Sequence, residues 1–202
     1  MLGQATDDWR TARKEAARAE ILRAAKALAS ETGWAGLSLR DLARRLGMAA
    51  PSLYGYFASK TALFDALFAQ GYREMLALEV PRLPDVREQL RALAHGHVGF
   101  SLEDPVRHDL LFTRAVPGFT PSPESWELAQ EAYRRALGPL LDYPGVRQDD
   151  LDLYTAVLTG LVSQQLSNDP GGDRWTRLVD DVVDLLATRI EARRAVPAGG
   201  GS

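Results

Sequence analysis

Apolar residues recur along this chain at intervals of three and four, the repeat of a helix with one buried face, and almost nowhere at intervals of two. Ile21, Ala25, Leu28 and Ala29 mark a first helix over about 11–32, and Gly33 reads as its stop. Leu39, Leu42, Ala43 and Leu46 mark a short second helix. Ser38 is its candidate cap, Asp41 suits its positive end, and Gly47 closes it. A third short helix fits Pro51 to Tyr56, with proline in its first turn. A fourth runs from Lys60 to about Leu78, capped by Ser59 and apolar at Leu63, Phe64, Leu67, Phe68, Met75 and Leu76. Further helices are predicted at about 85–102, 106–114, 124–141, 149–167 and 173–194. Ser122-Pro123-Glu124 is a strong start signal for one of them: a cap, then proline, then an acid. The fold class is therefore all-α, with about nine helices. Pro81 and Pro84 break the chain between a small N-terminal unit over 11–80 and a larger one over 81–196. Residues 197–202, Pro-Ala-Gly-Gly-Gly-Ser, read as a disordered tail or an added scar.

The stretch over about 39–58 is the informative one. Two short helices meet at a tight turn containing glycine, the pattern of a helix-turn-helix. Its physics asks four things. Leu39, Leu42, Ala43 and Leu46 bury one face of the first helix, with Ala43 small enough to permit close crossing. Gly47 turns the chain without a side-chain clash. Met48 and Leu53 fix the second helix against the first. The outer face of the second helix is then left for a DNA major groove.

With these residues in view, the chain resembles the TetR/AcrR family of transcriptional regulators. The matching block runs from about Ala17 to Ala69. Its markers are Ile21-Leu22-Arg23-Ala24-Ala25, Gly33-Trp34-Ala35-Gly36-Leu37-Ser38, Asp41-Leu42-Ala43, Gly47, Leu53-Tyr54, Tyr56-Phe57 and Ser59-Lys60-Thr61-Ala62-Leu63. The resemblance implies a three-helix DNA-binding head, a helical ligand-binding body and a homodimer. It implies that Ser38 and Arg40 touch phosphate, that Ala50, Pro51 and Ser52 face base edges, and that Tyr54 and Tyr56 reach phosphates or base methyls. Lys60 adds a phosphate contact at a helix end that favours anions. The chain departs from the family at Ala49, where a Ser or Thr cap is usual. An uncapped end costs about 0.5–2 kcal/mol, so the recognition helix is expected to fray in free protein and to order on DNA. That helix also lacks long polar side chains, which shifts readout toward thymine methyls and DNA shape. Two readings stand for Tyr54 and Phe57, DNA contact or core aromatic; Arg44 and Arg45 also read as solvated charges.

Charge sharpens this picture. The net charge is −3. Residues 1–60 hold ten Lys or Arg against six Asp or Glu, and the remainder fourteen against twenty-one. An anionic partner therefore suits the N-terminal part alone. There is no cysteine, which excludes disulfides, thiolate zinc sites and thiol nucleophiles. No apolar run is long enough to span a bilayer and the start does not resemble a signal peptide, so no membrane partner and a cytoplasmic location are expected. No triad, phosphate loop, HExxH or paired-carboxylate motif is apparent, so neither an enzyme nor a cofactor is expected.

In the body, His97, Phe100, Phe112, Trp126 and Tyr133 are the candidate effector pocket; the alternative is plain core. His95 and His97 point about 200° apart on a helix and cannot share a metal there, so no metal site is expected. The last two helices carry apolar stripes. Following the family, Tyr154, Leu158, Leu161, Val162, Gln165, Leu178, Val182 and Leu186 are expected at a two-fold four-helix interface; the alternative is that they close one subunit's core. Such a dimer spaces two recognition helices about one DNA turn apart, on a near-palindromic operator. The expected function is a DNA-binding repressor released from its operator by a small-molecule effector. The alternatives are an activator or effector-independent regulator of the same family, or a helical protein-interaction module.

Overall fold

The computed structural model describes residues 2–195, with side chains from Trp9 onward, so the tail expected at 197–202 lies outside the described residues. Nine α-helices and two short 3-10 turns are present, and no strand occurs among the described residues. The described residues form two compact units, one of residues 2–71 with 109–126, the other of 72–108 with 127–195.

The first unit opens with α1 (Leu2–Gly36). This helix starts well before the expected residue 11. Trp9 and Arg10, the described side chains before that point, are both exposed and so add no apolar periodicity by which a sequence reading would find them. The helical path breaks at Gly33, whose φ of 70° and ψ of 165° suit only glycine. That break turns Trp34 inward, edge-on to Phe64 with ring centroids 5.6 Å apart. α2 (Leu39–Arg45), α3 (Ala50–Tyr54) and the first part of α4 (Lys60–Ala77) follow. Residues 109–126 complete the unit. Phe119 meets Phe64 and Phe68 at 5.9 and 6.1 Å. Ser122 donates to Asp65 from both its amide (2.7 Å) and its hydroxyl (3.0 Å). The same hydroxyl accepts from Ser125 N at the start of α7 (Pro123–Leu137), as its Ser-Pro-Glu signal implies.

The second unit is built on α5 (Val86–Glu103), α8 (Gln148–Asn168) and α9 (Val179–Ala195), with the first part of α6 (Pro105–Phe112) and the rest of α7. Its core runs from Leu90, Ala94 and Val98 through Leu151, Tyr154, Leu158 and Val162 to Val183, Leu186 and Ile190. α7 gives way to a 3-10 turn over Gly138–Asp142. Pro139 there has no N–H for an α-helical bond. α9 starts later than expected because Gln165 takes the backbone amides of Trp175 (2.9 Å) and Thr176 (3.3 Å). Asp150, fully buried, fixes the start of α8. It accepts from Arg147 N at 2.9 Å and from both terminal nitrogens of Arg193 at 2.6 Å.

Candidate nucleic-acid interface

The first unit's short helices are positioned by local chemistry. Ser38 caps α2, accepting from Asp41 N at 3.1 Å, and its hydroxyl donates to Asp41 Oδ2 at 2.6 Å. Leu39, Leu42 and Ala43 are buried beneath. The helix then ends in a doubled bond: Met48 N donates to Ala43 O (2.9 Å) and Gly47 N to Arg44 O (3.1 Å). This Schellman geometry requires a left-handed residue between them, and Gly47 supplies it with φ of 64°. The chain is thereby redirected into α3 without a side-chain penalty.

α3 is two-sided. Leu53 is fully buried and Phe57, just beyond its end, nearly so. Pro51 and Ser52 are exposed and Tyr54 is 52% exposed, while Ala50 and Tyr56 are half-buried. Tyr54 thus turns outward and Phe57 into the core, which separates the two readings left open for them. Ala49 stands at the N-cap with no side-chain bond, as expected from the sequence. Around α3, Arg40 is exposed and Arg44 lies on the surface, 2.7 Å from Asp41. Arg45 is less free: it forms a two-pronged pair with Glu31 of α1 at 2.6 and 2.7 Å. Those hydrogen bonds hold the Glu31 carboxyl below its ordinary value. Lys60 donates to Ala35 O at 3.3 Å and sits 5.3 Å from the Phe64 ring centroid, next to Ser59, which caps α4 through Ala62 N at 3.0 Å.

One residue here was not foreseen. Arg18 of α1 donates to Tyr56 O at 2.6 Å and its guanidinium lies 4.3 Å from the Phe57 ring centroid. It clamps the segment that follows the C-terminal end of α3. Its spacing of three and seven residues from Ile21 and Ala25 places it beside the buried stripe, the one sequence signal of its role.

The candidate effector residues are divided between the two units. In the second unit, burial pushes His97 down to about 4. His108 is fully buried, is also pushed down to about 4 by burial and by His97, and lies 3.3 Å from Ser163 Oγ through Nε2. Phe100 is buried beneath Arg107, whose guanidinium is 3.5 Å from its ring centroid and also bonds Glu74 and Glu103. Tyr133 faces outward and accepts from Gln148 Nε2 at 2.7 Å, so it does not turn into the unit's interior. In the first unit, Phe112 is half-buried and Trp126 is largely at the surface. Among the described residues, no group of three or more His, Asp or Glu could hold a metal.

The expected dimer residues need correction. Tyr154, Leu158, Val162, Gln165 and Leu186 are buried inside the protomer. Tyr154 OH donates to Leu90 O at 2.7 Å, and the Gln165 amide is consumed by Asp169, Trp175 and Thr176. A side chain closed in its own core has no surface left to offer a partner. Leu161, Leu178 and Val182 are only half-buried. The outward apolar positions of α8 and α9 are Leu153 and above all Leu185, 73% exposed. For the five buried residues the alternative holds, that the stripes close one subunit's core, because burial in a core and burial at an interface leave the same apolar repeat.

Comparison with known proteins agrees with this geometry. Residues 21–67 match the family described as bacterial regulatory proteins, tetR family. The HTH-type transcriptional regulator Rv1816 of Mycobacterium tuberculosis is 32% identical over 117 residues, 55% of this chain and 50% of that protein. The tetracycline repressor protein class A from transposon 1721 of Escherichia coli is 45% identical over 65 residues, 32% of this chain and 30% of that protein. The chain thus spans about half or less of these curated relatives. Among solved structures, a TetR variant from Acinetobacter baumannii AYE in complex with minocycline aligns with a TM-score of 0.59 at 26% identity, covering 87% of this chain and 97% of that one. The regulator FadR of Bacillus subtilis, in complex with stearoyl-CoA, shares the fold with a TM-score of 0.64 at 19% identity, covering 84% and 97%. No helix among the described residues is long and apolar enough to cross a membrane. The turn at Gly47 and the two-sided helix after it lie within the block that matches the tetR family of bacterial regulatory proteins, and the fold of the chain is that of solved members of that family.

Proposed function

We propose that this protein is a transcription regulator that lays α3 in the major groove of operator DNA as a homodimer, and that a small-molecule effector releases it. The observation that carries the reading is the two-sidedness of α3: Leu53 and Phe57 hold it from within while Pro51, Ser52 and Tyr54 stay outside. Arg40, Arg44 and Lys60 border that face and supply cations for phosphates. Phosphate contacts hold register, and the short side chains of Ala50, Pro51 and Ser52 read methyls and shape. Two copies joined through the outward sides of α8 and α9, at Leu153, Leu161, Val182 and Leu185, present two such helices to a near-palindrome. Repression is supported by the likeness to the tetracycline repressor, and effector release by the likeness to a minocycline-bound relative. Within the body, His97 and Phe100, both on α5, are the residues taken to meet an effector. The effector must bind the DNA-free form more tightly, and operator must weaken effector binding by the same factor.

The test is selection of bound duplexes from a random pool, repeated with candidate ligands. The expected product is a two-fold symmetric site whose affinity falls steeply with salt. Substituting Lys60 should weaken all sequences alike, and substituting Ser52 should change the preference among them. A purified chain indifferent to every duplex at low salt would overturn the proposal.

A further inference from the structure

α1 is much longer than its packing requires. Its buried residues begin at Ile21, and residues 9–16 are exposed on all sides. At 1.5 Å per residue these eight positions carry the helix about 12 Å past the packed part of the first unit. The eight overhanging positions carry three cations, Arg10, Arg13 and Lys14, against Glu15, with Asp7 and Asp8 earlier in the sequence. Arg10, Lys14 and Arg18 follow one another at four-residue steps, so they form one ridge along the helix. The inner end of that ridge is located by contact, since Arg18 bonds Tyr56 O at 2.6 Å. The ridge therefore starts at the edge of the face formed by α3 and leads outward from it.

Resting on the reading of α3 as the DNA-contacting helix, we propose that the exposed start of α1 is a second DNA contact. Arg10, Arg13 and Lys14 lie along the phosphates that flank the operator half-site. Charge complementarity and continuity with the α3 face name the occupant. An overhang of about 12 Å covers roughly three to four base pairs at 3.4 Å each. The contact is to backbone, so it adds affinity without sequence preference.

The experiment uses the whole chain and the selected operator in two lengths, one trimmed to the core site and one extended by about five base pairs on each side, a margin just beyond the reach set by the base-pair rise. Binding is followed by fluorescence anisotropy across a salt series. The wild type should bind the long duplex about tenfold more tightly than the short one, the order expected for a few phosphate contacts. The variant Arg10→Gln/Arg13→Gln/Lys14→Gln should lose that gain, bind the short duplex as the wild type does, and show a salt slope on the long duplex lower by about one per lost contact. All three side chains are exposed, so an unchanged thermal melt should accompany the loss. A control variant in the body, Arg134→Gln/Arg177→Gln, should keep the gain. A triple variant that keeps the gain, that weakens on both lengths equally, or that is matched by the body variant would overturn the arm. A wild type that binds operator with no length dependence overturns the arm alone, whereas one that binds no duplex overturns the reading of α3.

Discussion

Ala49→Ser offers a direct measure of how the recognition helix is held. The molecule contains its own standard: in α2 the N-cap Ser38 accepts from Asp41 N, three residues on, at 3.1 Å. The equivalent donor in α3 is Ser52 N, because Pro51 has no N–H to give. Ser52 N now turns to Ala49 O at 2.9 Å. Ala49 already has the extended backbone of a cap, with φ of −67° and ψ of 138°, so serine fits without rearrangement. Replacing alanine by serine at a cap adds about 0.5–2 kcal/mol, typically 1. One kcal/mol is about a fivefold change in an equilibrium. The amides of residues 52–57 should therefore exchange about fivefold more slowly in the free variant, with the difference gone when operator is bound. Where local opening is linked to global unfolding, the melting temperature should rise by about 2–4 °C for a chain of this size. Operator affinity rises only in proportion to the fraction of free molecules in which α3 is open, so the gain cannot exceed that same factor. The control Ser38→Ala should lose about 1 kcal/mol from α2. Unchanged exchange over 52–57 in Ala49→Ser, with Ser38→Ala behaving as stated, would refute the view that α3 is underheld at its start.

Gly47→Val places a β-branched residue at φ of 64°, in open space but in a strained conformation, so it should lose about 1–2 kcal/mol in a urea melt and Gly47→Asn distinctly less. His97 and His108 are both held near 4 in the folded protein, below the ordinary 6.5, so the unfolded chain takes up protons first as pH falls. Stability should therefore drop between pH 6.5 and 4 by up to about 1.4 kcal/mol per pH unit for each histidine, and urea melts of His97→Gln/His108→Gln should be flatter over that window. Leu185→Asp puts a charge on the most exposed apolar residue of α9, and sedimentation should show a monomer with an unchanged fold; a dimer of undiminished affinity would place the interface elsewhere.

Helices with one buried face were readable because burial leaves a periodic mark, and the caps at Ser38, Ser59 and Ser122 were readable because their chemistry is local. Trp9 and Arg10 fell outside the expected first helix for the converse reason: both are exposed and add nothing to its apolar period. The turn and the two sides of α3 were legible through Gly47 and the alternation of Leu53 with Tyr54, but Arg18 acts across 38 residues of sequence and left only its spacing as a clue. Five residues expected at a dimer interface lie in the core instead, since hydrophobic repeats identify a helix that is covered, not what covers it. Phe119 and Ser122 could not be assigned to the first unit from sequence, because their partners Phe64, Phe68 and Asp65 lie about fifty or more residues earlier.

That last arrangement bears on anyone wishing to graft this helix-turn-helix head onto another protein. The natural-looking splice near Pro81 would sever the α4 aromatics from Phe119 and strip Asp65 of both bonds from Ser122. A transplant cut there carries raw apolar surface into solvent. A workable chimaera keeps residues 109–126 with their own head and takes its foreign sequence as two separate inserts.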